Sequence, residues 1–336
     1  MNILITTTLA ALLTIPLMTA TALAVPIIYG DDNRVEDSET SAARKALGDS
    51  VVSLWKSYEL EASGSKVKLK TISFTDYIED SRGLPLCSGE PFREQQTGGF
   101  CSGALVGEDL IMTAGHCVKT AEDCQDIKFV FGFAVTTTGG TAPTEVPASD
   151  VYSCAKLELV KHESTADPDA EVRTKDLDYA IVRLDRKVTG HKVLAVNPAQ
   201  NIKAGASLFV IGHPVGLPRK VADGASVRDA GADKLYFTAN LDTYGGNSGS
   251  AVFSATTGLI DGILVRGDTD FVKNAEGTCY NSNKVANDGG EGESVTKINR
   301  SIMALIRPQN TIRPLPIRPV NMQFSTPEAE NMQLRF

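Results

Sequence analysis

The sequence predicts an all-β protein, and three observations carry that prediction. Short apolar runs recur along the chain with Gly, Asp and Asn between them, as in β-sandwiches and β-barrels. Glycine and proline number 29 and 15 among 336 residues, which suits a chain with many turns. The apolar fraction of 42% and the charged fraction of 22% are ordinary for a globular protein, so extensive disorder is excluded.

The predicted strands alternate with turn residues from position 51 onward. The runs cover residues 51–55, 104–106, 110–112, 128–133, 180–184, 207–211 and 259–265. The two runs beside Gly107 and Glu108 are expected to form a hairpin. A single segment has helical spacing, with apolar residues at 295, 298, 302, 305 and 306; Ser294 is its expected N-cap and Pro308 its end.

The N-terminus has the pattern of an export signal. Residues 1–24 carry no charged side chain, residues 3–16 are apolar, and small residues end at Ala24, where we expect cleavage. No Lys or Arg precedes Arg34, so the basic n-region of a signal peptide is missing. An uncleaved membrane anchor is the alternative, because residues 3–28 are long enough to span a bilayer. After removal of the signal no membrane contact is expected. We expect an N-terminal arm or propeptide at 25–50, the main domain at 51–307 and a Pro-rich tail at 308–336.

Charge and cysteine content exclude several classes of partner. The 33 basic residues against 41 acidic residues give a net charge of −8, which argues against nucleic-acid binding. Six cysteines, an even number in an exported chain, predict disulfides. The sequence has no C-x-x-C pair, so a zinc site or a redox centre is not expected. The acidic pair at 31–32 and the stretch 268–293 match no Ca²⁺ loop, so solvated loops are expected. We therefore expect no metal and no cofactor.

A glycine-flanked serine is the first candidate for chemistry. Ser248 lies in the stretch Gly246-Asn247-Ser248-Gly249-Ser250. A serine nucleophile needs a base and fixed N–H donors for its oxyanion, and Gly246 and Ser248 could supply two such N–H groups. Taken alone, the stretch is equally compatible with a glycine-rich surface turn. It is not the α/β-hydrolase elbow, which requires Gly at position 250.

A histidine and an aspartate complete a possible triad. His116, in Thr113-Ala114-Gly115-His116-Cys117, follows an apolar run, and histidine is the usual general base beside a serine nucleophile. Asp178 precedes the apolar run 180–184 and could orient the imidazole, with Asp176 as the alternative. Taken singly, each is more often a structural histidine or a turn aspartate. We interpret His162 and His191 as surface residues without partners, and His213 as part of a strand-end turn.

Together these motifs resemble the chymotrypsin-like (trypsin-like) serine proteases, in which the triad runs in the order His, Asp, Ser. The resemblance implies two packed six-stranded antiparallel β-barrels with a C-terminal helix. It also implies catalysis by His116, Asp178 and Ser248, an oxyanion hole at Gly246 and Ser248, and a disulfide from Cys101 to Cys117. Gly-Asn-Ser-Gly-Ser at 246–250 and the stretch 27–34 resemble the bacterial V8-like glutamyl-endopeptidase branch.

The remaining four cysteines allow three pairings. We favour Cys124 with Cys154, which would bracket the run 128–133, and hence Cys87 with Cys279.

Specificity and maturation follow less directly from the resemblance. Asp242 lies six residues before Ser248, where trypsin-like enzymes pair a carboxylate with a basic P1 side chain, the residue on the acyl side of the cleaved bond. Leu264 stands where the glutamyl branch has a histidine, which argues against acidic P1 residues. Arg266 could line the pocket and neutralise Asp242, or pair outside it. Asn247 replaces the aspartate of the zymogen ion pair, so maturation would order the site differently.

The sequence thus predicts a secreted or periplasmic serine endopeptidase. Its expected substrates are proteins or peptides, and it is expected to be a monomer. The alternative is a protease-fold binding or adhesion module that has lost catalysis, although all three triad residues are present.

Overall fold

The computed structural model describes residues 28–162, 177–199, 201–231, 234–267 and 269–306. The predicted signal peptide, the Pro-rich tail and Asp176 lie outside these ranges. In chain order the strands are β1 Ile28–Tyr29, β2 Arg34–Glu36, β3 Val51–Lys56, β4 Leu60–Ser63, β5 Lys66–Leu69, β6 Ile72–Ser73, β7 Gln96–Thr97, β8 Cys101–Gly107, β9 Leu110–Thr113, β10 Ile127–Val130, β11 Glu145–Pro147, β12 Val151–His162, β13 Asp178–Leu184, β14 Ser207–Gly212, β15 Lys220–Asp229, β16 Tyr236–Ala239, β17 Ala251–Ser254, β18 Ile260–Arg266, β19 Phe271–Lys273, β20 Tyr280–Ser282, β21 Lys284–Val285 and β22 Glu293–Lys297. The helices are α1 Ala42–Gly48, α2 Phe74–Arg82, α3 Ala121–Gln125 and α4 Arg300–Ile306.

Two six-stranded antiparallel barrels form the core of the fold, as predicted. The first barrel closes in the order β10, β12, β13, β9, β8 and β3. The second runs β14, β17, β18, β22, β16 and β15, and pairing of β14 with β15 closes it. The predicted hairpin is present, because Gly107 of β8 pairs with Leu110 of β9 across a two-residue turn. Closure leaves neither barrel an unpaired edge.

Strand β14 explains why the barrels pack together. Its residues Leu208 and Val210 lie in the core of the second barrel. The intervening Phe209 and Ile211 belong instead to the larger cluster that also contains the first barrel's apolar residues and Ile302 of α4. Both faces of β14 are therefore buried, which accounts for its continuous apolar sequence.

The predicted C-terminal helix is shorter than expected, and its predicted N-cap is wrong. Residues 293–297 form β22, which pairs with β16 on one side and β18 on the other. Val295, expected on the helix face, is buried in the second barrel. The helix begins at Arg300, after Asn299, whose Oδ1 accepts the N–H groups of Ser301 and Ile302 at 3.0 and 3.1 Å. Two ladders of hydrogen bonds outweigh a helical spacing that rests on few residues.

Helix α2 is absent from the sequence prediction. Ser73 caps it by accepting the Asp76 N–H, and Gly83 ends it with a φ of 82°. An N-cap serine followed ten residues later by a C′ glycine is a recognisable helix signal. The helix lies in the long segment between β3 and β8, which are paired neighbours in the first barrel.

Three disulfides join the six cysteines. Cys101 is bonded to Cys117, Cys124 to Cys154 and Cys87 to Cys279, which is the pairing favoured from the sequence. The Cys87 bond ties the segment after α2 to the connection between β19 and β20.

The described part of the N-terminal arm packs on the second barrel. β1 pairs in parallel with β21, and β2 adds to the edge of β15. A buried ion pair from Arg219 to Asp37, 2.8 Å long, follows β2. The arm therefore contributes to the barrel that carries Ser248.

Candidate active site

His116 is held on a short turn between the barrels. β9 ends at Thr113, and residues 115–117 form a 3₁₀ turn that Cys117 bonds to the start of β8. Gly115 lets this turn lie against β12, because a Cβ there would sit 2.1 Å from the Lys161 carbonyl oxygen. The imidazole of His116 keeps 29% of its surface exposed and so faces the cleft.

Asp178 binds His116 through both of its carboxylate oxygens. Oδ2 lies 2.8 Å from His116 Nδ1, and Oδ1 accepts the backbone N–H of the same residue at 3.0 Å. Burial raises the pKa of Asp178, but the hydrogen bonds and charge of His116 outweigh burial and leave the pKa below its usual value. An ionised carboxylate at Nδ1 holds the imidazole proton there and leaves Nε2 as the acceptor.

The backbone of Ser248 lies beside the Cys101–Cys117 disulfide. Its carbonyl oxygen accepts the Ser102 N–H at 2.8 Å and lies 3.7 Å from Cys117 Sγ. A ring nitrogen of His116 lies within 4.8 Å of the same sulfur. The Cys101–Cys117 disulfide thus lies beside both the Ser248 backbone and the turn that carries His116, and His116 contacts Asp178, although these residues are far apart in the chain.

The N–H groups of Gly246 and Ser248 are the oxyanion donors that the sequence predicts. Gly246 has a φ of 86°, and the next N–H, that of Asn247, turns back to the Tyr244 carbonyl at 3.0 Å. Among the described residues, neither Gly246 N–H nor Ser248 N–H donates to a protein acceptor. An oxyanion hole requires N–H donors of this kind, so the assignment of Gly246 and Ser248 stays a prediction.

Ser102 positions this loop, a role that the sequence analysis does not assign. Its N–H binds the Ser248 carbonyl, and its Oγ donates to the Gly246 carbonyl at 2.9 Å. Ser102 Oγ also accepts the His213 N–H at 2.9 Å. The one available signal is its place in Phe-Cys-Ser-Gly at 100–103, next to the disulfide.

Asp242 does not lie where the sequence analysis expects it. Its side chain is buried, and its two oxygens accept the backbone N–H groups of Tyr29 at 2.8 Å and Asn33 at 3.1 Å. Burial raises the pKa of Asp242 to about 6. Asp242 is also not among the residues that line the cavity beside Ser248. The expectation that it meets a substrate side chain is therefore corrected, because the N-terminal arm occupies its carboxylate.

The cavity beside Ser248 has a volume of about 130 Å³ and a charged wall. Arg266, at the end of β18, lines it as expected, together with Glu293 and Asp270. The guanidinium carbon of Arg266 lies 5.9 Å from the Tyr236 ring centroid, and the residue is exposed. Glu293 is not identified from the sequence, since nothing in its local pattern separates it from the surrounding acidic residues.

The other histidines differ from the sequence interpretation. His162 Nδ1 lies 4.0 Å from Asp178 Oδ2, and burial lowers its pKa. The ring of His191 stacks on Phe131, with centroids 4.2 Å apart, and pairs with Asp49 at 3.3 Å. Both residues therefore have partners, because strand ends and loops meet at these points. His213, by contrast, follows the end of β14 as interpreted from the sequence, and its burial lowers its pKa to about 3, so the imidazole is neutral at pH 7.

Metal ligation receives no support in the described part of the chain. The one group of potential ligands found there combines His116 with Cys101 and Cys117, whose sulfurs are already bonded to each other. Within the same ranges, no helix is long and apolar enough to cross a membrane.

The middle part of the chain matches a known protein family. Residues 101–263 match the family model of the trypsin-like peptidase domain. No curated protein matches the chain. A solved structure of a Glu endopeptidase in complex with MPD is similar at 15% identity, covering 85% of this chain and 100% of that chain, with a TM-score of 0.45. The VesB protease of Vibrio cholerae is similar at 14% identity, covering 81% of this chain and 65% of that chain, with a TM-score of 0.44.

Proposed function

We propose that this chain is a serine endopeptidase that uses His116, Asp178 and Ser248, and the match of residues 101–263 to the trypsin-like peptidase domain supports the proposal. The observation that carries the proposal is the contact of 2.8 Å between His116 Nδ1 and Asp178 Oδ2, beside a Cys117 sulfur that lies 3.7 Å from the Ser248 carbonyl oxygen. A buried carboxylate at Nδ1 is what a serine peptidase needs to keep Nε2 basic.

The proposed reaction proceeds through an acyl-enzyme. Ser248 Oγ attacks the carbonyl carbon of the scissile peptide bond while His116 takes the hydroxyl proton. The N–H groups of Gly246 and Ser248 stabilise the oxyanion, and His116 then passes the proton to the leaving amine. Water, deprotonated by His116, hydrolyses the ester and restores Ser248. Asp178 remains ionised and stabilises the imidazolium throughout.

Labelling with a fluorophosphonate probe tests this proposal. Mature wild-type protein is expected to react covalently at Ser248 and to hydrolyse unfolded protein substrates. Ser248→Ala is expected to lose both reactions while keeping the wild-type melting temperature. Ser65→Ala, an exposed serine in the turn between β4 and β5, is the matched control and is expected to keep both.

The same experiment separates the peptidase from an inactive binding module. A folded wild-type protein that neither reacts with the probe nor cleaves any substrate would support the binding or adhesion role instead. Labelling that persists in Ser248→Ala would mean that another residue is the nucleophile.

Export is part of the proposal and rests on the cysteines. Three disulfides suit an oxidising compartment, the periplasm or the exterior, and would be reduced in the cytosol. Cell fractionation and N-terminal sequencing of the mature protein are expected to find it exported and to begin at Val25. Recovery of the intact chain from the cytosol would contradict the proposal.

A further inference from the structure

The cavity beside Ser248 has an acidic wall that does not include Asp242. Three charged side chains line it: Arg266, Asp270 and Glu293. Of these, Arg266 is exposed and Asp270 is partly exposed, whereas Glu293 is only 2% exposed. The buried charge in this cavity is therefore a carboxylate.

Two neighbours hold the Glu293 carboxylate in place. Thr243 Oγ1, from the loop before Ser248, donates a hydrogen bond of 2.9 Å to Oε2. Gly267, directly after β18, lies against the same group, since a Cβ on Gly267 would sit 2.2 Å from Oε2. Glu293 begins β22, which pairs with β18 and β16, so its backbone is also fixed. The carboxylate is thus preorganised against the same cavity that Ser248 lines.

The other two charges are less suited to bind a substrate side chain. The Asp270 carboxylate accepts the Gly245 N–H at 3.1 and 3.2 Å and also borders a second, larger cavity. The Arg266 guanidinium lies toward the Tyr236 ring, where water can screen it. Two carboxylates against one solvated guanidinium leave the lining with a net negative charge.

We propose that Glu293 is the specificity-determining residue of this site, and that it selects substrates with Lys or Arg at P1. The inference rests on the proposed peptidase function. An acyl chain bound to Ser248 directs its P1 side chain into the neighbouring cavity, and a cation there meets the Glu293 carboxylate. A charged pair in a partly dehydrated site is favoured over a neutral side chain, and an acidic one is repelled.

Peptide libraries that vary only P1 test the proposal. Wild-type protein is expected to cleave after Lys or Arg preferentially. Glu293→Gln, which keeps the size of the side chain and an acceptor for Thr243, is expected to lose roughly 10- to 100-fold in kcat/KM for basic P1 residues. Its kcat/KM for uncharged P1 residues is expected to change less than about threefold. Glu291→Gln removes an exposed charge two residues away and is expected to keep the wild-type P1 profile.

Fluorophosphonate titration of each variant gives the concentration of active sites and separates misfolding from altered specificity. A wild-type enzyme that labels but prefers acidic P1 residues, with the preference lost in Arg266→Gln, would overturn the role of Glu293 and leave the peptidase function standing. So would an unchanged P1 profile in Glu293→Gln, or loss of the basic preference in Asp242→Asn alone. Absence of labelling and cleavage in wild-type protein would overturn both proposals.

Discussion

The Asp242 carboxylate accepts a hydrogen bond from the backbone N–H of Tyr29 across 2.8 Å, and so joins the loop of Ser248 to the N-terminal arm. Its other oxygen accepts the Asn33 N–H. Arg34 extends the junction, because its guanidinium donates to Tyr244 Oη at 2.7 Å and stacks on the same ring. These contacts fix the segment before Ser248 against the arm.

Replacement of Asp242 is therefore expected to affect stability rather than P1 preference. Asp242→Asn offers one acceptor to two N–H groups, which leaves one buried donor unpaired at a cost of about 1–3 kcal/mol. The free energy of unfolding, measured in urea at pH 8 where a carboxyl with a pKa of about 6 is ionised, is expected to fall by that amount. Asp31→Asn, an exposed neighbour, is the control. Equal stability of the two variants would contradict the role assigned to Asp242.

The choice of Asp178 over Asp176 can be tested by activity. Asp178→Asn replaces an acceptor at His116 Nδ1 with an amide and favours the wrong tautomer, so kcat is expected to fall by about 10⁴-fold. Asp176→Asn is expected to retain activity within about threefold. Steady-state kinetics on one peptide substrate compares them. Near wild-type activity of Asp178→Asn together with an inactive Asp176→Asn would reverse the assignment.

Gly249 allows the closest approach of the Ser248 loop to the first barrel. It has a φ of 88°, and a Cβ there would lie 2.1 Å from the Ser102 carbonyl oxygen. Gly249→Ala is expected to destabilise the protein by roughly 2–4 kcal/mol and to abolish labelling of Ser248, because backbone must move. Gly277→Ala also has a positive φ, of 67°, but meets no atom within 4 Å. Gly277→Ala is expected to lower the free energy of unfolding by only about 1 kcal/mol and to leave labelling of Ser248 intact. Similar losses of stability in the two variants would show that steric contact is not the cause.

His191 makes stability depend on pH. Burial lowers the pKa of His191, but the hydrogen bond to Asp49 and the charges of Asp49 and Asp150 outweigh burial and raise it above 6.5. A raised histidine pKa stabilises the folded state below the unfolded pKa, and the contribution is lost as pH rises through the folded pKa.

Asp49→Asn is therefore expected to be less stable than wild type at pH 6, by up to about 1 kcal/mol because Asp49 is largely exposed. The gap is expected to shrink at pH 9, where His191 is neutral in both proteins. Thermal unfolding at the two pH values measures it. A gap of the same size at both values would show that the charge of His191 contributes nothing.

The sequence predicts much of the site because its motifs are local. Ser248 sits among glycines, His116 follows an apolar strand and precedes a cysteine, and Asp178 begins a buried strand. Each pattern is set by the local requirements of a few neighbouring residues. The order His, Asp, Ser along the chain is the order of the chymotrypsin-like proteases that the sequence resembles. The all-β class follows equally from local runs and turns.

The segment at 293–306 shows that a local sequence pattern alone does not decide between helix and strand. Apolar residues at 295 and 298 satisfy a helical period, yet β22 forms because β16 and β18 offer partners on both sides. Those partners lie tens of residues away, and no local period contains them.

The proposed P1 specificity also depends on contacts that the sequence alone does not show. By itself the sequence determined the all-β class, an even set of cysteines and the residue types proposed for catalysis, since these depend on composition and short spacings. Only the tertiary structure decided which carboxylate meets which group. Asp242 and Glu293 are both acidic residues near Ser248, but backbone N–H groups of the arm occupy Asp242, whereas barrel pairing places Glu293 in the wall of the cavity. A carboxylate acts through its neighbours within a few ångströms, and those neighbours come from distant parts of the chain.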